Sequence, residues 1–403
     1  MISEGDSDRQ GAGGPRVFAL VLVIGIVGGC YTAPVPPPPP NFLLVTVDTL
    51  RADVLGSYGH RAGASPNIDR LAAQGTRFDR AYTVTPLTIP AHSSLFTGLY
   101  PPRHGVRDNG DAFLGPEAYT LAERLKQHGY ATGAAVGAEV TSHHWGFAQG
   151  FDTYRDELGA TAGGNRWAVE RPANTVVDDA LAILDERSTQ GPWMQWVHVF
   201  DVHHPYTPPE PHLSQMSGRA YLGEVAWTDA QLGRLFDAVL ARPDADRTWI
   251  VVLADHGEGL GAHGENTHGV LLYDPTTRIP LIVRPPGGHA SLVVDTPTSI
   301  VDIVPTLMAL AGVKSDESLD GMDLSGQMRG EPAPERSIYI ESRYAHHHYG
   351  WAPLSALVNP QHKLIHGGRD HLFAATDLGE ANDLSGDPAR LGQIRGDLDA
   401  LSA

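Results

Sequence analysis

Short apolar runs recur along this chain, and several stop abruptly at a charged residue. The run at 42–47 stops at Asp48, the run at 193–200 at Asp201, and the run at 248–254 at Asp255, with His256 next. Continuous apolar, β-rich runs of this kind read as strands buried on both faces of a parallel sheet. Further strands are predicted at 130–136 and 280–283. Helical patterns are predicted over 65–74 (closed by Gly75), from Pro90 to about Gly98, and over 116–128, 173–186, 226–241 and 301–310. Alternating strands and helices predict an α/β fold with a doubly wound, mostly parallel sheet. The stretch 330–335 is linker-like and marks a boundary between a catalytic domain, 41–330, and a small C-terminal α+β subdomain, 331–403. That subdomain would carry strands at 337–340 and 363–365 and a closing helix at 388–401.

Composition narrows the classes. The chain has 403 residues, 41% of them hydrophobic and 19% charged, enough for a large core without covalent staples. A formal charge of −18 leaves no basic surplus to neutralise phosphates and argues against a nucleic-acid partner. The single cysteine, Cys30, closes an apolar run at 17–29 that is too short to span a bilayer. Residues 1–29 read as a lipoprotein-type signal peptide, and 30–40 as a lipidated Cys30 with a stiff Pro-rich tether. The expectation is a membrane-anchored protein outside the bacterial cytoplasm, periplasmic or on the outer membrane. An uncleaved N-terminal anchor is the alternative.

A doubly wound sheet lines its strand ends along one edge, where ligands bind. Asp48, Asp201, His203, Asp255 and His256 would meet there. Thr88 precedes Ile89-Pro90-Ala91, a helix start whose free amides and dipole suit an anionic group. Its bland alternative is a helix N-cap. Asp48, Thr88, Asp255 and His256 supply two carboxylates, a hydroxyl and an imidazole, a set suited to Zn²⁺ or Mn²⁺, with Ca²⁺ or Mg²⁺ as alternatives. A divalent ion there would lower the pKa of the Thr88 hydroxyl and make it a nucleophile. His203 and His268 are candidates for general acid, for charge partners of the anion, or for ligands of a second metal with Asp201. Trp193 and Trp196 read as packing, Arg51 and Arg103 as anion binders or ion pairs, and His346-His347-His348 as an exposed loop.

Taken together, 41–53, the Thr88 stretch through Gly105, Phe200–Tyr206, Asp255–Glu258, 301–306 and 372–384 resemble the sulfatase family of the alkaline-phosphatase superfamily. The resemblance covers 41 to about 390, with motifs in family order. Many of those enzymes carry Cys or Ser at the nucleophile, oxidised to formylglycine, with Pro and Arg two and four residues later. This chain has Thr88, Pro90 and His92. A threonine cannot become formylglycine. The resemblance therefore implies a variant closer to the Thr-nucleophile phosphodiesterases and transferases, with His92 and Asn109 as substrate contacts. Asn109 would stand where the phosphodiesterases place an Asn on a phosphoryl oxygen; its alternative is a turn residue.

The expected function is metal-dependent hydrolysis of sulfate or phosphate esters through Thr88, with phosphoester chemistry favoured. Its partners would be a sulfated or phosphorylated small molecule, glycan or lipid. The alternatives are a phosphoryl transferase acting on a lipid or glycan acceptor, and an inactive protein that binds anionic glycans.

Overall fold

A computed structural model of the chain describes residues 14, 38–110, 112–158, 169–314 and 318–402. Apart from Gly14, the expected signal peptide lies outside the described residues, as do Cys30 and most of the tether. From Pro38 onward the chain is one compact unit. Among the described residues, no helix is long and apolar enough to cross a membrane.

The main sheet has eight strands. In chain order they are β1 Asn41–Val47, β2 Thr76–Phe78, β3 Ala131–Val136, β4 Thr153–Arg155, β5 Trp193–Val199, β6 Thr248–Ala254, β7 Leu281–Arg284 and β8 Leu292–Val294. Their spatial order is β8-β2-β7-β6-β1-β5-β3-β4. Only β7 runs against its neighbours; every other pair is parallel. β1 lies at the centre, every one of its residues buried, with Val47 opposite Val199 of β5 and Ala254 of β6. This register sets Asp48 and Asp255 side by side just past the ends of adjacent parallel strands.

The helix Thr88–Thr97 is buried at all ten positions. Its polar side chains stay satisfied by folding back onto the turn above: Ser93 donates to the Ile89 carbonyl at 2.8 Å and Thr97 to the Ser93 carbonyl at 2.7 Å. Gly98 ends it at φ +72°, where a Cβ would also meet Val304 Cβ at 3.1 Å. The helix expected over 116–128 is shorter, Leu121–Gln127, because Thr120 and Glu123 form a reciprocal capping box that starts it late. The helix expected at 226–241 begins earlier and spans Ala220–Leu240.

The C-terminal subdomain is a four-stranded antiparallel sheet, β9 Ile338–Ser342, β10 Leu354–Val358, β11 His362–His366 and β12 His371–Ala374, joined in sequence order. Ile338 and Ile340 on one face pack with Tyr82 and Leu272 of the main body. Tyr339 on the other packs with Ile394 and Leu398 of the closing helix Pro388–Ser402. That alternation is the period-two pattern of a sheet sandwiched on both sides. Lys363, 3% exposed, pins the two parts together: its ammonium lies 2.7 Å from Asp274 and 2.8 Å from Glu380, and it donates to Thr277 at 3.0 Å.

Candidate active site

Asp48, Asp255 and His256 are wholly buried, and one donor atom from each lies within 4.8 Å of the others. Thr88 opens its helix as the first helical residue, with Leu87 before it as N-cap, so its hydroxyl is not a cap. That hydroxyl lies 3.5 Å from Asp48 Oδ2 and 3.2 Å from His256 Nε2. The adjacent Ile89 amide donates to Asn109 Oδ1 at 2.9 Å, which ties Asn109 to the helix start. The four residues expected to share a metal therefore converge.

The same carboxylates are short of partners. Asp48 Oδ1 and Asp255 Oδ2 are buried without a hydrogen bond, a costly state for a charged oxygen. Burial, followed by the negative charge of Asp48, pushes the Asp255 carboxyl up to about 6. Burial acts the same way on Asp48, but the hydrogen bond from His198 and the charges of His256 and His203 outweigh it and hold that carboxyl well below the usual range. Two crowded carboxylates with unpaired oxygens, an imidazole and a hydroxyl fit a divalent cation.

Beneath this cluster lies a network of residues that the chain pattern did not single out. Thr46 and His198 face each other in the β1–β5 register. Trp196 Nε1 donates to Thr46 Oγ1 at 3.0 Å, while His198 Nδ1 lies 2.9 Å and His92 Nε2 3.2 Å from the same oxygen. His92 Nδ1 must donate to the Thr88 carbonyl at 2.9 Å, because a carbonyl only accepts. His92 Nε2 then needs a proton, and Thr46 has one to give. His198 Nδ1 must donate to Thr46 in turn, which leaves His198 Nε2 as the ring nitrogen that faces the cluster. That nitrogen is buried and lies 3.5 Å from Asp48 Oδ2. The available signal was a polar residue inside an otherwise apolar run, at both Thr46 and His198.

Two sequence expectations are corrected here. His92 does not contact substrate: it is 0% exposed and both ring nitrogens are engaged within the protein. Asp201 is not among the clustered donors. Its Oδ1 accepts from the Ala173 amide at 3.0 Å and from Trp227 Nε1 at 2.8 Å, so it anchors the start of the helix Ala173–Asp185. Arg51 and Arg103 are likewise committed to Asp53 and Asp320.

His268 and His203 do reach the cluster. The His268 ring lies 4.5 Å from His256 and 5.2 Å from His203. Glu258, fully buried, sits 3.1 Å from His268 Nδ1 and accepts from the Tyr206 hydroxyl at 2.8 Å. Burial works against charge on His268, but Glu258 prevails and raises the imidazole above its usual value. Burial instead lowers His203, against the pull of Asp48. His203 Nδ1 donates to the His204 carbonyl at 2.6 Å, leaving Nε2 free. One histidine near the cluster is thus inclined to hold a proton and the other to give it up.

The family model named Sulfatase matches residues 40–313. The chain belongs to the sulfatase family. It is 30% identical to the uncharacterized sulfatase YidJ of Escherichia coli K12, over 89% of this chain and 84% of that one. Among solved structures, BT4656 in complex with its substrate D-glucosamine-2-N,6-O-disulfate superposes with a TM-score of 0.78 at 20% identity, covering 90% of this chain and 96% of that one. The phosphonate monoester hydrolase of Agrobacterium radiobacter gives 0.75 at 23% identity, with 90% and 95% coverage. This sulfatase-family hydrolase has the alkaline-phosphatase-like fold, with its mostly parallel sheet and C-terminal antiparallel subdomain.

Proposed function

We propose that this sulfatase-family protein hydrolyses phosphate or sulfate esters through Thr88, with phosphoesters the better substrates. The observation that carries the reading is the Thr88 hydroxyl set between Asp48 Oδ2 and His256 Nε2, among carboxylate oxygens that lack partners. Asp48, Asp255, His256 and Thr88 would hold a divalent ion. Bound there, such an ion supplies charge to neutralise the anion and to lower the pKa of the hydroxyl.

The chain's own groups account for the rest. Thr88 passes its proton to Asp48 Oδ2, the carboxylate oxygen it faces at 3.5 Å, and its oxygen attacks phosphorus or sulfur; the bond to the ester oxygen breaks, leaving the anion on Thr88. The departing alkoxide takes a proton from His268, held charged by Glu258, or from His203. Water then attacks the same phosphorus or sulfur, giving a proton to the histidine that spent one; the Thr88 bond breaks, Thr88 regains its proton from Asp48, and inorganic phosphate or sulfate leaves. Without an aldehyde hydrate, this second displacement is the only exit, which favours phosphorus over sulfur. Asn109, tied to the Ile89 amide through Oδ1, keeps its Nδ2 to donate to a non-bridging oxygen.

A glycan carries the ester in this proposal; a structural neighbour binds a sulfated glucosamine. The apolar run ending at Cys30 supports lipid anchoring outside the cytoplasm. The test compares aryl phosphate, phosphodiester, phosphonate and aryl sulfate turnover for wild type and Thr88→Ala, with bound metal measured in both. The expected result is loss of at least a thousandfold in Thr88→Ala with the metal retained. Product that forms only with an added acceptor alcohol would make the protein a transferase. A folded protein that binds no metal on reconstitution would contradict the reading.

A further inference from the structure

The C-terminal subdomain reaches the active-site wall through one short helix, Tyr344–Tyr349, where a loop was expected. Tyr344 packs on Gly269, the residue after His268. A Cβ added there would lie 3.8 Å from Tyr344 Cγ and 3.2 Å from Leu87 Cδ2, the residue before Thr88. A second tie comes from His348, whose Nε2 lies 2.8 Å from Asp108 Oδ2, beside Asn109. The helix is therefore joined to both segments that frame the nucleophile.

Aromatic rings run outward from this junction. Tyr344 lies 4.4 Å from the His348 ring and 6.1 Å from Tyr349, and Tyr349 lies 5.6 Å from Trp351. Tyr349 is 59% and Trp351 61% exposed. A row of large exposed rings is costly to keep in water and marks a binding surface. Its chemistry selects the occupant. His346, His347 and His348 are exposed beside the rings; His346 Nδ1 is held by the Trp351 carbonyl and His348 Nε2 by Asp108, which leaves His346 Nε2 and the His347 ring to offer hydrogen bonds at the surface. An acyl chain would leave those nitrogens unpaired. A pyranose offers a C–H face to each ring and hydroxyls to the imidazoles.

We propose that Tyr344, Tyr349 and Trp351 form a stacking platform for the saccharide part of an ester whose anionic group is bound at Thr88. This rests on the reading of the Thr88 site as a glycan-ester hydrolase and names the residues that would hold the sugar.

The test uses glucosamine and galactose tetrasaccharides carrying one terminal 6-O-phosphate or 6-O-sulfate, with 4-nitrophenyl phosphate as a sugar-free ester. Binding is read by titration calorimetry and tryptophan fluorescence in wild type, Tyr349→Ala, Trp351→Ala and Trp351→Phe. For at least one tetrasaccharide, each alanine variant should bind about tenfold more weakly, while turnover of 4-nitrophenyl phosphate stays at the wild-type level. Trp351→Phe should keep the affinity and lose the fluorescence response. Tetrasaccharide binding that is absent in wild type, or equal in wild type and both alanine variants, would overturn the platform. The platform and the hydrolase reading fail separately: ring-dependent binding without turnover of any ester would refute only the hydrolase.

Discussion

Thr46 has three polar neighbours and a single proton, which goes to His92, and that scarcity sets the tautomers beneath the site. Thr46→Val keeps the shape and removes the hydroxyl. It should destabilise the fold by about 1–3 kcal/mol, as His92 Nε2 and Trp196 lose their partner, and weaken metal binding about tenfold by freeing His198 to turn. Urea unfolding and metal titration measure the two effects; unchanged metal affinity would show that the network does not orient the ligands. Asp255 makes a second prediction. Its folded value of about 6 lies above the reference 3.8, so the metal-free folded state binds more protons than the unfolded chain across that window. Metal-free stability should therefore rise as pH falls from about 6 towards 4, and Asp255→Asn should flatten that rise in urea unfolding. Metal affinity should move the opposite way, falling across the same window, because the ion needs the unprotonated carboxylate.

Elements show where the chain pattern was informative. β1, β5 and β6 were legible because each is a long apolar run that stops at a polar residue, and those stops placed Asp48 and Asp255 correctly at one sheet edge. β2, β4 and β8 were missed: three residues are too few to display a period. The helix Tyr344–Tyr349 was read as a loop because three consecutive histidines carry no apolar stripe. The subdomain docks through groups far apart in the chain, Lys363 with Asp274 and Glu380, which no local pattern reveals. Lys363→Met should cost about 3–5 kcal/mol by leaving both carboxylates buried and unpaired. Urea unfolding checks the loss. Adding Asp274→Asn and Glu380→Gln should restore part of it.

At the scale of the molecule, the α/β core supplies the Thr88 hydroxyl and the metal-competent donors, and the small subdomain packs against the segments beside them. Thr88, Asp48, Asp255 and His256 were recoverable from the chain because they stand at element ends. His198, Thr46 and Glu258 were not, since their importance comes from who faces them across strands and loops. The proposal that Thr88 is the nucleophile is the centre of the account, and one experiment addresses it directly. The protein, loaded with Zn²⁺ or Mn²⁺, is mixed with an excess of aryl phosphate, quenched in acid during turnover, digested and sequenced by mass spectrometry. The account predicts the added mass of one phosphoryl group on Thr88 in wild type, with neither label nor turnover in Thr88→Ala. A label on another residue, or turnover that survives Thr88→Ala, would contradict it.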